Sequence, residues 1–179
     1  MNDTSEIKIS EQERRPAAAI SGLRLRPATP TDEDILMSVF ASTRSAELEA
    51  LSGNPAMLEM FLKMQYQAQS QNYRGLYPKA ENKIVLLDEK PIGRLLVDRA
   101  GQDFLLIDIA LLPEHRNSGI GQTLLEGLLH EAKTCAKAVK LHVVRSSSAV
   151  RFYERLGFTP IGGDDVYIEM SWTSSQPNP

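Results

Sequence analysis

A mixed α/β domain is the fold class this sequence predicts, and three observations carry that expectation. Apolar runs joined by short turns over 84–112 have the spacing of an antiparallel three-stranded meander. Two segments with helical spacing precede the meander, and helix-period and strand-period segments alternate after it. The chain has 179 residues, the size of one domain, with 42% hydrophobic and 24% charged residues. A core of ordinary size needs neither disulfide nor metal.

Composition excludes several classes of function. A formal charge of -3 offers no general attraction to nucleic acid or anionic lipid, although a local site can still hold an anionic cofactor. Cys135 is the single cysteine, so an intrachain disulfide and a thiolate metal cluster are both ruled out. His115, His130 and His142 lack the close pairing of a zinc-binding helix. No run approaches the roughly 20 apolar residues that span a bilayer. Met1 to Glu6 carries no basic segment leading into an apolar one, which gives a cytoplasmic protein as the expectation.

Residues 1–22 are polar and mixed in charge and read as a disordered tail; 173–179, with two prolines and no apolar residue, reads as a second. The domain is placed at 23–172. Leu23-Arg24-Leu25-Arg26 alternates like a short strand and Pro27 closes it. Thr31 or Asp32 can cap a helix with Ile35, Leu36, Val39 and Phe40 on its apolar side. Ser52-Gly53 ends that helical region, and Asn54-Pro55 restarts it with a capping residue followed by proline. Met57, Phe61, Met64 and Ala68 then recur at helical spacing.

The meander strands fall at 84–87, 92–99 and 104–112, with turns at 88–91 and 100–103. A helix is expected over 119–134, burying Leu124, Leu125, Leu128, Leu129 and Ala132. A strand comes next, at 139–144. Ala149, Phe152, Tyr153 and Leu156 mark an amphipathic helix stopped by Gly157, and the last strand is 166–172.

The segment Leu111-Leu112-Pro113-Glu114-His115-Arg116-Asn117-Ser118-Gly119-Ile120-Gly121 joins a buried strand to a leucine-rich helix. A helix start presents unpaired N–H groups and a partial positive charge, so it attracts phosphate. Glycines at 119 and 121 let an anion reach the backbone, and Arg116 can add a full charge. A nucleotide P-loop would need lysine where Gly121-Gln122-Thr123 has none. A dinucleotide fingerprint would need glycine where Leu124 stands. A strand-to-helix turn whose glycines serve only packing is the third reading.

Arg116-x-x-Gly119-x-Gly121 resembles the Arg/Gln-x-x-Gly-x-Gly/Ala signature of the GNAT superfamily of acyl-CoA N-acyltransferases. Leu141-His142-Val143, with Ala149-Val150-Arg151-Phe152-Tyr153-Glu154-Arg155-Leu156-Gly157-Phe158 downstream, is similar to that family's second block. The resemblance spans 23–172 and implies a twisted sheet, antiparallel at first, with a parallel pair at the cofactor site and helices on both faces.

The same resemblance implies a set of site residues. The backbone of Arg116, Asn117, Ser118, Gly119, Ile120 and Gly121 would hold the pyrophosphate of acetyl-CoA. The main chain of Ile109, Ala110 and Leu111 would bond the pantetheine arm, while their side chains serve the core. Tyr153 would be the general acid at the thiolate; a core tyrosine would read identically in sequence. Ser146 stands where the family often carries asparagine, a departure in which serine can still bond the cofactor or cap the helix. Asp108 is a candidate general base, with Glu114 and His142 as others; alternation places it with Ala110 and Leu112, opposite Ile107 and Ile109.

No metal is implied. Cys135, late in a helix, is expected to be buried or inert. The acceptor wall would come from 32–77, offering Met57, Met60, Phe61, Met64, Tyr66 and Tyr73 beside Glu47, Glu49 and Glu59. The implied activity is transfer of an acetyl group from acetyl-CoA to the amine of a small molecule or peptide, in a ternary complex. The alternative is a non-catalytic acyl-CoA sensor of the same fold. The family's frequent homodimers make a second copy the partner to consider.

Overall fold

The computed structural model describes residues 20–44 and 53–174. The tails expected at 1–22 and 173–179 fall for the most part outside these, as do Glu47, Glu49 and Ser52. Strand β1 is Leu23–Pro27, and a single 3-10 turn leads into helix α1, Glu33–Ala41. Helix α2 is Pro55–Leu76, opened by Asn54, whose side-chain oxygen accepts the amide of Met57 at 3.1 Å. The meander is β2 Glu81–Leu87, β3 Lys90–Asp98 and β4 Phe104–Leu111. Helix α3, Ile120–Thr134, strand β5, Val139–Val144, and helix α4, Ala149–Arg155, come after it. Strands β6, Thr159–Gly163, and β7, Tyr167–Trp172, finish the described chain.

These seven strands form one sheet in the order β1-β2-β3-β4-β5-β7-β6, with β4 and β5 parallel and every other neighbour antiparallel. The expected mixed α/β class, meander and parallel pair are all present. Helices cover both faces. On one, Leu124, Leu125, Leu128 and Leu129 of α3 pack on Val85, Leu95, Val97 and Leu106. On the other, Leu36 and Phe40 of α1 and Leu62 and Tyr66 of α2 cover Ile84 and Leu86. Leu125 is fully buried, and removing such a side chain from water is worth about 1.5–3 kcal/mol.

Two expectations change. Helix α2 buries Leu62 and Tyr66, with Leu58 partly covered. Met57 and Met64, assigned to the apolar side, are 49% and 60% exposed, and Ala68 is exposed as well. Both stripes have helical spacing. The neighbouring one prevails because Tyr66 meets Phe40 edge-on, with ring centroids 5.6 Å apart. Strand β6 was not anticipated. It carries Pro160, Gly162 and Gly163, all poor strand formers, and survives at the sheet edge, where proline is tolerated.

Where β3 meets β4 the pairing slips: Leu96 opposes Asp108 and Val97 opposes Leu106, so Ile107 is an extra residue. Leu106 faces the α3 core before this bulge, and Ile109 and Leu111 pack against the same core after it. Asp108 shares its face with Ala110, as alternation required, but the bulge sets that face opposite to Leu106. Gly93 lies across from Leu111 in the same pair of strands.

Two substitutions probe this frame. A Cβ at Gly93 would stand 2.5 Å from the Ala110 carbonyl oxygen and 2.6 Å from Leu111 Cδ2, so Gly93→Ala should cost about 1–3 kcal/mol in urea unfolding. A stability equal to the parent would show that the two strands can separate freely. Asp32 is bonded to Arg26 at 2.6 and 2.7 Å and accepts the Thr29 amide at 2.8 Å, which holds its carboxyl far below the usual range. A depressed pKa stabilises the fold above the unfolded value and is lost as pH falls. Asp32→Asn should therefore be less stable by about 1–3 kcal/mol at pH 7. The gap should narrow on acidification below about pH 4; a gap independent of pH would contradict this.

Candidate active site

The chain leaves β4 at Leu111 and makes a 3-10 turn over Pro113–His115 before α3 begins. Asn117 and Gly119 take left-handed backbone angles, φ 57° and 83°, which fold the loop back onto the helix start. Ser118 Oγ donates to the His115 carbonyl at 2.7 Å, and Ile120 is buried in the core. These contacts fix the first turn of α3. The Thr123 amide donates to the Gly119 carbonyl at 3.0 Å. The amides of Ile120, Gly121 and Gln122 precede it and have no carbonyl one turn back to bond, as at any helix start.

That turn borders a cleft of about 770 Å³. Of the residues assigned to the cofactor, Ile109, Ala110, Leu111, Arg116, Asn117, Gly119, Gly121 and Tyr153 line it. Ser118 and Ile120 contribute backbone to the loop and turn their side chains elsewhere. Ser146 is exposed and does not line the cleft, whereas Ser148, the residue before α4, does. Arg116 spends its donors on protein: Nε donates to the Leu111 carbonyl at 2.8 Å, and Nη2 to Ser42 O and Oγ at 3.1 and 2.7 Å. Its guanidinium thus ties the end of β4 to the end of α1.

Arg151 and Arg155, four residues apart on α4, also line the cleft, and among the described residues no carboxylate does. In a chain of net charge -3 this is a local positive surface. Their spacing on either side of Tyr153 was the sequence signal for them. A Cβ built at Gly121 would lie 3.8 Å from Phe152 Cζ, so the missing side chain leaves the wall open. Open amides, the guanidinium groups of Arg151 and Arg155 and an uncovered backbone fit a diphosphate ester such as that of CoA.

Beside the cradle the sheet opens. Strands β4 and β5 pair only through Phe104↔Val139, Leu105↔Lys140 and Leu106↔Leu141. β7 pairs with the other edge of β5 along its whole length, from Val139↔Trp172 to Val144↔Tyr167, and so leaves this gap unfilled. The edge of β4 from Ile107 to Leu111 that faces β5 therefore has no strand partner among the described residues.

Tyr153 is 9% exposed and packs on Phe152 and Phe158, with centroids 5.5 and 5.7 Å away. Its hydroxyl meets no hydrogen-bond partner among the described residues. Burial, helped by the charge of Asp108, pushes its pKa up to about 12, so the phenol stays protonated at neutral pH. Asp108 lies opposite β3, 3.3 Å from Arg94 Nη1. Burial raises its carboxyl above the usual range, against the pull of Arg94 and Arg44. Glu114 is exposed on the 3-10 turn, and His142 is exposed on β5 at a different cleft.

Two further clefts meet at Tyr73 and Tyr77, on the last turn of α2 and just after it. One, of about 640 Å³, includes Ile107, His142, Asp164 and Tyr167; the other, of about 600 Å³, includes Glu33, Tyr66, Asn82 and Arg94. Of the apolar acceptor-wall candidates, Tyr66 and Tyr73 line a cleft, while Met57, Met60 and Met64 face solvent. Cys135, expected to be buried or inert, is exposed at the end of α3. Among the described residues no group of His, Cys, Asp and Glu is placed to hold a metal, and no helix is long and apolar enough to cross a membrane.

Residues 80–160 match the family model described as acetyltransferase (GNAT) domain. Among solved structures, the chain is similar to the PaiA N-acetyltransferase of Thermoplasma acidophilum in complex with coenzyme A. Identity is 18% over 84% of this chain and 98% of that one, with a TM-score of 0.65. An acetyltransferase from Thermus thermophilus is 20% identical over 86% and 98%, at 0.63. The ribosomal-protein-S18-alanine N-acetyltransferase of Escherichia coli is 18% identical over 87% and 96%, at 0.57. No curated protein matches the sequence. The path of the chain is that of these solved structures, and the fold of this protein is that of the GNAT acetyltransferases.

Proposed function

We propose that the protein is an acetyl-CoA-dependent N-acetyltransferase acting by direct attack of an amine, in a complex that holds both substrates. One observation carries this reading: the cradle at the start of α3, the unpaired edge of β4 and the phenol of Tyr153 line a single cleft. A diphosphate gripped at the cradle would lead a thiol-bearing arm along Ile109, Ala110 and Leu111 toward Tyr153. Free main-chain groups on that edge would bond the arm's amides and orient the acyl carbonyl.

The bound co-substrate supplies an activated acyl group as a thioester. The protein's part is proton transfer and positioning. Asp108 takes a proton from the incoming ammonium, which frees the nitrogen lone pair to form the C–N bond. Burial raises its pKa, which makes it a stronger base than a free carboxylate. As the C–S bond breaks, the electron pair goes to sulfur and Tyr153 gives it a proton. The nitrogen's remaining excess proton returns to the phenolate.

Two tests bear on this. Thiol release from acetyl-CoA across a panel of amines should match formation of N-acetyl product, with Tyr153→Phe and Asp108→Asn each lowering kcat/KM by about 10²–10⁴. The acid limb of the rate profile should lie above the ordinary carboxylate range and disappear in Asp108→Asn. A limb retained there would remove Asp108 as the base, and unchanged turnover in Tyr153→Phe would remove the acid. Separately, Gly119→Val places a branched side chain at φ 83° and should reduce CoA affinity at least about tenfold while the domain still folds. Preserved affinity would refute the cradle.

A further inference from the structure

Arg94 is a buried cation with capacity to spare. Its side chain is 9% exposed, on a strand of the sheet. Nε donates to Asn82 Oδ1 at 2.9 Å and Nη1 to Asp108 Oδ2 at 3.3 Å. Nη2 has no acceptor among the described residues. Arg94 lines the cleft of about 600 Å³ between α1, α2 and the sheet, so this free donor borders open space. Asn82 accepts through Oδ1, which leaves its amide NH₂ as a second donor on the same cleft.

Asp108 is the complement. One carboxylate oxygen is taken by Arg94, and the other has no partner among the described residues, on a side chain that is 27% exposed. An open donor and an open acceptor thus lie on the two halves of one ion pair. Across the strands, Arg94 opposes Ala110 and Leu96 opposes Asp108, so the pair lies on the same stretch of β4 whose other edge is assigned above to the acyl arm.

We infer that the acceptor is an amino acid, with its ammonium on the free oxygen of Asp108 and its carboxylate on Arg94 Nη2 and the Asn82 amide. This rests on the acetyltransferase reading and names its substrate class. Charge decides between amines. Arg94 and Asp108 together are neutral and Arg44 adds its positive charge near Asp108, so a simple ammonium bound there would add further uncompensated positive charge to a half-buried site. A zwitterion adds no net charge and meets each open group with its opposite. An α-amino acid carries its amine and its carboxylate on one carbon, so a single small ligand brings both charges to the pair together. Besides Arg94, the charged groups that line the cleft are Arg74 and Glu33, of opposite sign and both exposed.

The test compares matched acceptors in the thiol-release assay: α-amino acids of several side-chain classes, each beside its carboxamide and its decarboxylated amine. Some amino acid should exceed both partners in kcat/KM by about 10- to 100-fold, the weight of a charge-assisted hydrogen bond. In Arg94→Gln that ratio should collapse toward one, through KM. Because it is taken against the amine in the same variant, a general loss of activity cancels. The wild-type comparison stands even if the variant does not fold.

Amines turned over with no advantage for the carboxylate would overturn the inference and leave the acetyltransferase standing. Titration calorimetry on the CoA-bound protein separates the remaining cases. Amino acid binding that Arg94→Gln abolishes, with no amine acetylated, would support the site and overturn the enzyme. CoA binding with neither amino acid binding nor turnover would overturn both.

Discussion

The parting of β4 from β5 is the constraint on which the site depends. Three residue pairs hold the parallel strands together, and one extra residue, Ile107, ends the register. A regular sheet would satisfy the edge of β4 with another strand. Here pairing with β5 stops at Leu106↔Leu141 and the bulge follows at once, leaving the polar main chain of β4 open to a crevice. Such an edge calls for a ligand with amides of its own. Because the same slip sets the face of Asp108, a single irregularity lies at the open edge and turns the carboxylate onto the face of Ala110, where it meets Arg94.

The cradle is held from several sides. Ile120 anchors the first turn of α3 in the core, Ser118 closes the loop onto His115, and Arg116 binds the loop to α1 and to the end of β4. The motif arginine acts here as a fastening. The cationic surface facing the cleft comes in addition from Arg151 and Arg155, carried on the helix of Tyr153. Anion attraction and loop rigidity are thus divided between different arginines.

What could be read from the residues alone divides along a physical line. Helix α3, the glycine turn and the meander were legible because local spacing and backbone requirements specify them. Tyr153 and Asp108 could be singled out by residue type and position. The pairing of Asp108 with Arg94 could not, because it depends on a cross-strand register that a bulge displaces by one. Helix α2 offered two stripes of equal period, and only the ring contact between Tyr66 and Phe40 distinguishes them. Strand β6 escaped notice because Pro160, Gly162 and Gly163 form a strand there only through pairing with β7.

The bridge from Ser42 through Arg116 to the Leu111 carbonyl has a mechanical consequence. Helix α1 lies on one face of the sheet and α3 on the other, so one guanidinium passes load around the end of β4 from one layer to the next. A shift of α1 would pull on the strand terminus that leads into the anion-binding turn. Events on the two sides of the sheet are thereby geared together.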